Sequence, residues 1–579
     1  MRNSKLFLSI AASLTFAISA CAKQSTKEAA DPLAYVPADT PYVFANLEPL
    51  PKQQIEEWIA KMQPMFDQYG KLFDYLSQED ESLKKLFSGD DNSTAAKLIR
   101  ALTDEIKTHN TVEKWRELGY KPDAHVAIYG VGLMPVIRFE LSDSQAFQAT
   151  IARIEGKVGE KLLTGKIGKQ EYWLIDGTKM QLLFGIQGNH LVLGAAPKNA
   201  SEELRKQLFG LKRPEKNMLN SDKLTELNKK YNYTPYFSGY IDFRRISALL
   251  LKQGKSTKTD EEFLMGFDGQ PLPTYSPVCI QEADETLRRF PRLVFGYNEF
   301  SSKRMVIGAT LELAPDLAKD MMVVFSDPVP GMGAKGEGLM DIAYAIPILK
   351  LKEFALKQAQ QVIDKPYQCP ELAKIFNEGA KELYAKFDQT VPPPASDILG
   401  VRVTLSQLTL KEDMKPEFSG KALLATSNPT MLTSMAQLMA PELKDFKISP
   451  DAKPVPLPEG LKIPAEYGPI YVAMSDKAIA ASIGKGEETG LSAYLSAPPA
   501  QQPTFLRVGM DVSIYDIYGQ LFDQLMTTKS DVQKGQLSKE VLELQRQILQ
   551  MYKLFFKRLD IVVTAEVNGV TFAETIEMP

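Results

Sequence analysis

The chain has 579 residues, a formal charge of -4 and 44% hydrophobic residues. That balance is ordinary for globular protein and leaves no basic excess for a nucleic-acid surface. The length calls for more than one hydrophobic core.

The first residues carry an address. Arg2 and Lys5 precede an uncharged apolar run from Leu6 to Ala20. The run suits a secretory signal peptide and falls short of the about 20 residues a membrane-spanning helix needs. It ends in Ile18, Ser19, Ala20 and Cys21, which resembles a bacterial lipobox. Small residues before a cysteine fit the peptidase, and the thiol takes the diacylglycerol. Residues 1–20 are therefore expected to be a lipoprotein signal peptide, with Cys21 the lipidated (diacylglycerol and fatty-acyl) N-terminus. Several acyl chains anchor stably where one binds marginally. Ala22, in place of an aspartate, implies outer-membrane sorting by resemblance to Gram-negative lipoproteins, facing the periplasm. Residues 21–35 are polar and unpatterned at first and read as a flexible tether.

Next in chain order come four segments with one grammar of strand, break and amphipathic helix. They begin at Pro41, Pro235, Met340 and Thr504. Each moves from strand spacing to helical period. Between them, the stretch from Pro135 predicts a strand, a cap at Ser142 or Asp143, and a helix; the stretch from Gly420 repeats that order. Met180 opens a hairpin with a Gly188-Asn189 turn and a following helix, matched from Pro469. Arg288 and Phe556 each open a helix end, strand, turn and strand, the second with Asn568-Gly569 in its turn. The expected fold class is α+β. It comprises two related halves, 36–325 and 338–579, each a mainly antiparallel sheet covered by amphipathic helices. A Gly/Pro-rich linker, 326–337, joins them within the stretch Ser326 to Gly338.

The opening YVPADTPYVFANL, and the segment Gly188 to Gly194 with its following helix and PYFSGYIDFRR, resemble an uncharacterised family of bacterial envelope lipoproteins, a domain of unknown function. The resemblance covers roughly the first half. It implies an envelope location and an α+β build, and supplies no catalytic residue to transfer.

Besides Cys21 there are two cysteines, Cys279 and Cys369. In an exported protein an even remainder is expected to pair. Free thiols or a metal site are the alternatives, and neither cysteine lies in a CxxC. His109, His125 and His190 are too few and too scattered for a typical zinc site. The glycines Gly331, Gly333, Gly336 and Gly338 lack the GK[ST] of a phosphate loop and read as linker. Asp39, Asp242 and Asp511 read as turn and cap residues; Glu56-Glu57 and Glu261-Glu262 read as solvated helix faces. No catalytic, metal or cofactor site is expected. Apolar stripes run through Ile55, Trp58, Ile59, Met62, Phe66, Tyr69, Leu72, Phe73 and Leu76, with a kink at Pro64. Another runs through Val541, Leu544, Ile548, Met551, Tyr552, Phe555 and Leu559. Such stripes cover sheets or line a groove. The expected function is a non-enzymatic, membrane-anchored binding or scaffold protein with an envelope protein as partner. A periplasmic carrier or sensor of apolar ligands is the alternative, and an undetected hydrolase a third reading.

Overall fold

The computed structural model describes residues 31–61, 64, 94–109, 111–177, 179–251, 262, 274–411, 416–458, 461, 468–527 and 539–579. Cys21 and the signal peptide lie outside these residues, as do most of the first stripe from Met62 onward. Among the described residues, no helix is long and apolar enough to cross a membrane. The fold is α+β, with antiparallel strand pairs throughout and helices between them.

The chain divides into two compact units. The first holds residues up to Tyr275 plus Arg292–Met305; the second holds Ser276–Pro291 and Val306–Pro579. The first unit has strands β1 (Tyr42–Ala45), β2 (Val126–Val131), β3 (Met134–Glu140), β4 (Leu163–Ile167), β5 (Gln170–Asp176), β6 (Met180–Gln187), β7 (His190–Pro197), β8 (Ser238–Asp242) and β9 (Arg292–Phe300). Their order across the sheet is β4, β5, β6, β7, β3, β2, β1, β8, β9. One face buries Val43, Tyr129, Val136 and Val192 with Leu204, Leu208 and Phe209.

In the second unit, β10 (Arg304–Glu312, from Val306 onward) is followed by β11 (Met340–Ala345), β12 (Ile398–Leu410), β13 (Pro416–Thr426), β14 (Val455–Pro456), β15 (Ile470–Met474), β16 (Ala478–Ile483), β17 (Thr504–Asp511), β18 (Arg558–Glu566) and β19 (Gly569–Glu577). Their order is β14, β15, β16, β13, β12, β11, β17, β18, β19, β10.

Local chemistry explains the punctuation. Asp143, not Ser142, caps the helix Ser144–Val158, accepting from Gln145 N and Ala146 N at 2.8 and 3.1 Å. The cap satisfies amides that the first turn leaves without partners. Gly159 closes that helix in the left-handed region. The predicted hairpins form: Gly188, at φ 64°, turns β6 into β7, and Asn568-Gly569 turns β18 into β19. Each strand that opens one of the four repeated segments runs on to a helix: residues 52–61, Phe243–Leu250, Ile348–Asp364 and Ile514–Thr527. Asp242 caps the second of these through Arg245 N.

Candidate functional site

The second unit's sheet has two faces of opposite character. Register partners on antiparallel strands share a face. One row runs through Ala422, Val403, Ile342, Val508, Ile561 and Glu574, across β13, β12, β11, β17, β18 and β19. A flanking row runs Leu424, Val401, Tyr344, Leu506, Val563 and Phe572, and another Gly420, Leu405, Met340, Met510, Leu559 and Ile576. Every named member of these rows is apolar or aromatic except Glu574, whose carboxyl is pushed up by burial. Val403 is 52% exposed and Tyr344 43% exposed, and most neighbours are half-buried. Six strands spaced about 4.8 Å and three rows about 6.8 Å apart outline roughly 24 by 14 Å.

The opposite face carries the charge. Asp341 on β11, Arg402 on β12, Arg507 on β17 and Arg558 on β18 are all less than a tenth exposed. Arg402 donates from Nε and Nη2 to the two oxygens of Asp341 at 3.1 and 2.8 Å, and from Nη2 to Glu337 at 2.8 Å. Its guanidinium lies 4.0 Å from the ring centre of Tyr494, whose hydroxyl is 2.9 Å from Thr404 Oγ1. Burial works to raise the Asp341 carboxyl, but the Arg402 hydrogen bonds and the charge of Arg507 outweigh it and hold it below the usual range.

The glycine-rich segment lies on these arginines. Arg507 Nε donates to Gly331 O at 3.1 Å, and Glu337 N donates to Asp341 at 3.0 Å. Gly331 N and Gly333 N donate to Ala497 O and Pro498 O, and Val329 and Met332 are buried. A Cβ on Gly336 would sit 2.2 Å from Arg558 Nη2 and 2.9 Å from Arg507 Nη1. Gly331 and Gly336 are there because guanidiniums occupy the space side chains would need, whereas a Cβ on Gly333 or Gly338 would meet the backbone of Pro499 or Leu405.

The predicted cysteine pair is a disulfide. Cys279 and Cys369 join with S–S 2.07 Å, both in the second unit. Glu371 is near both sulfurs, and among the described residues these three form the one metal-sized cluster. With both sulfurs bonded to each other, no thiolate is left to ligate.

The histidines are dispersed. His190 is fully buried, edge-on to Tyr35 at 5.7 Å. His109 Nδ1 is 2.9 Å from Glu105 O. His125 belongs to a cluster that sequence reasoning missed. Glu140 accepts from Lys121 Nζ at 2.6 Å and His125 N at 3.0 Å, and lies 3.3 Å from His125 Nδ1. Burial opposes its charge, but the bonds from His125 and Lys121 prevail and hold it down to about 2. Asp123, 4% exposed, has an Oδ1 without a hydrogen-bond partner; burial, then the charge of Glu140, push its carboxyl up to about 7. Asp39 pairs with Arg245 at 2.8 Å, and Asp511 accepts from Ser513 N at 2.9 Å. Of the C-terminal stripe, Tyr552 stacks on Tyr515 at 5.3 Å, while Leu559 belongs to β18 rather than to the helix Lys539–Tyr552. Compared with protein-family models, curated proteins and solved structures, the chain matches none.

Proposed function

We propose that this chain is a lipid-anchored bacterial envelope protein that binds another envelope protein through the apolar sheet face of its second unit. The observation that carries this is the inverted sheet. Charged residues of β11, β12, β17 and β18 are buried, while Tyr344 and Val403 stand on the more open, apolar face. Exposing such a face costs solubility, and contiguous apolar patches of about 300–600 Å² on monomers are often functional. The outlined patch, about 340 Å², is well under the about 800 Å² per partner of a standard stable complex, so the contact is a reversible one.

The anchor part of the reading rests on the lipobox ending in Cys21 and on the exported-type disulfide. The outer membrane facing the periplasm is the proposed address, and the likeness of the opening sequence to an envelope lipoprotein family agrees with it. The non-catalytic part is supported by the role of the ionisable clusters: Glu140, Asp341 and Arg402 are each engaged by partners within the same unit. The two units read as a duplication. Their sheets share one permutation, with β6, β7, β3, β2, β1, β8, β9 in the first corresponding to β15, β16, β13, β12, β11, β17, β18 in the second.

The test is affinity capture from chemically cross-linked envelopes, with wild type and Val403→Asp side by side and lipid extraction of both. A protein held by wild type and lost from the folded variant supports the reading. Equal capture by both, or reproducible lipid with no protein, overturns it.

A further inference from the structure

We infer that the buried arginine cluster beneath the glycine-rich segment of the second unit is a binding site for a small tetrahedral oxyanion of the phosphate or sulfate type. This is independent of the apolar-face reading, since it concerns the opposite face of the sheet.

Charge comes first. Among the charged side chains here that are less than a tenth exposed, three are guanidiniums, Arg402, Arg507 and Arg558, and one is a carboxylate, Asp341. Glu337, Asp560 and Glu577 also face the cluster but are more open, at 48%, 19% and 31% side-chain exposure, and Asp560 Oδ1 lies beside Arg558 Nη2 next to Gly509. Asp341 has to serve two arginines, bonding Arg402 through both oxygens while Arg507 Nη2 lies 2.9 Å from Oδ1. The deeply buried layer thus holds three cations to one anion, and the more open Glu337, Asp560 and Glu577 supply the balancing charge from its rim.

Hydrogen bonding points to the ligand. Each guanidinium carries five N–H donors and no acceptor. Buried nitrogens without a hydrogen-bond partner include Arg402 Nη1, Arg507 Nη1 and Nη2, and Arg558 Nη2. The Nη2 of Arg507 contacts Asp341 but out of line for a hydrogen bond. Two of these donors are neighbours: Arg507 Nη1 and Arg558 Nη2 both lie within 3 Å of where a Cβ on Gly336 would stand, while Arg402 Nη1 lies 2.4 Å from that of Gly331. A row of forked donors beneath a glycine-rich backbone matches an oxyanion, which offers acceptors in several directions. Chloride offers one centre and no fork geometry. Even a methyl group does not fit beneath Gly336, so admitting the ion requires the Gly331–Gly338 segment to lift off the guanidiniums and release the bonds of Gly331 to Arg507 and Ala497.

The experiment is titration calorimetry of the full mature chain, dialysed free of phosphate and sulfate, at constant ionic strength. The probes are inorganic phosphate, sulfate, chloride and dihexanoyl phosphatidylglycerol below its micelle concentration. Saturable one-to-one binding of phosphate or sulfate but not chloride supports the site. Binding of only the short lipid supports the same chemistry and assigns the anion to a headgroup. No saturable binding of any probe overturns it, and the cluster is then satisfied by water only. Arg507→Gln should weaken the affinity at least ten-fold, Arg558→Lys less, and the surface change Arg304→Gln not at all. Where Arg507→Gln fails to fold, ion chromatography of anions released from acid-denatured, freshly purified wild type decides: about one equivalent supports the site, and none overturns it.

Discussion

Replacing Asp123 by asparagine tests the electrostatics of the first unit. The folded Asp123 carboxyl titrates near 7 because it is buried beside Glu140; unfolded it titrates near 3.8. Between those values the unfolded chain has released a proton that the folded chain keeps. Stability therefore falls as pH rises through that window and levels off above it. A shift of about three units at 1.36 kcal/mol each sets an upper bound of about 4 kcal/mol on the loss. The amide of Asp123→Asn carries no such charge, so the slope disappears. Left without a partner, that amide returns a penalty of about 1–3 kcal/mol at every pH. The variant is thus expected to be equal to or weaker than wild type near pH 4 and stronger by about 1–3 kcal/mol at pH 8. Urea unfolding followed by tryptophan fluorescence isolates the effect, since Trp58, Trp115 and Trp173 all belong to the first unit. Parallel stability-versus-pH curves for the two proteins, offset by a constant, would refute the reasoning.

Glu140 has the opposite sign: its contribution is full above about 4.5 and is lost as pH falls towards 2, so Glu140→Gln should level the acid limb of the same curve. Reducing the Cys279–Cys369 bridge, which spans 90 residues, should lower the second unit's stability by up to about 4–5 kcal/mol, read as a drop in its melting temperature with reductant. Gly336→Ala must displace two buried guanidiniums and is expected to cost about 1–3 kcal/mol, whereas Gly379→Ala, in a helix with nothing near its Cβ, should be neutral or stabilise by up to about 1 kcal/mol; denaturant midpoints compare them. Cys21→Ser should yield unprocessed or released protein, and mass spectrometry of the mature N-terminus should find a diacylglycerol-modified cysteine in wild type.

The hairpins and helix starts were legible because turn and cap chemistry is local. Gly188-Asn189, Asn568-Gly569 and Asp143 announce themselves within a few residues. The disulfide followed from the cysteine count together with the expected export of the chain. The candidate site was not legible, and the reason is a broken convention. Alternation in MDIAYA, VRVTL and LRVGM is ordinarily decoded as apolar inward and charged outward. Here Asp341, Arg402 and Arg507 point inward and partner one another across 61 to 166 positions of sequence. No local pattern encodes that pairing. The glycine-rich run read as a linker for the same reason: its partners are arginines from β12, β17 and β18, which the sequence places far downstream. Lys121, His125 and Glu140 were closer together, but a loop and a strand end had to meet before the cluster appeared.

Whether the apolar face of the second unit is a docking surface is tested most directly by placing a photo-crosslinking residue at Val403 in live cells. One discrete crosslinked protein species is expected from Val403 and from Tyr344, and none from the exposed, polar Lys444. Crosslinks equal at all three positions, or to lipid alone, would contradict a docking role.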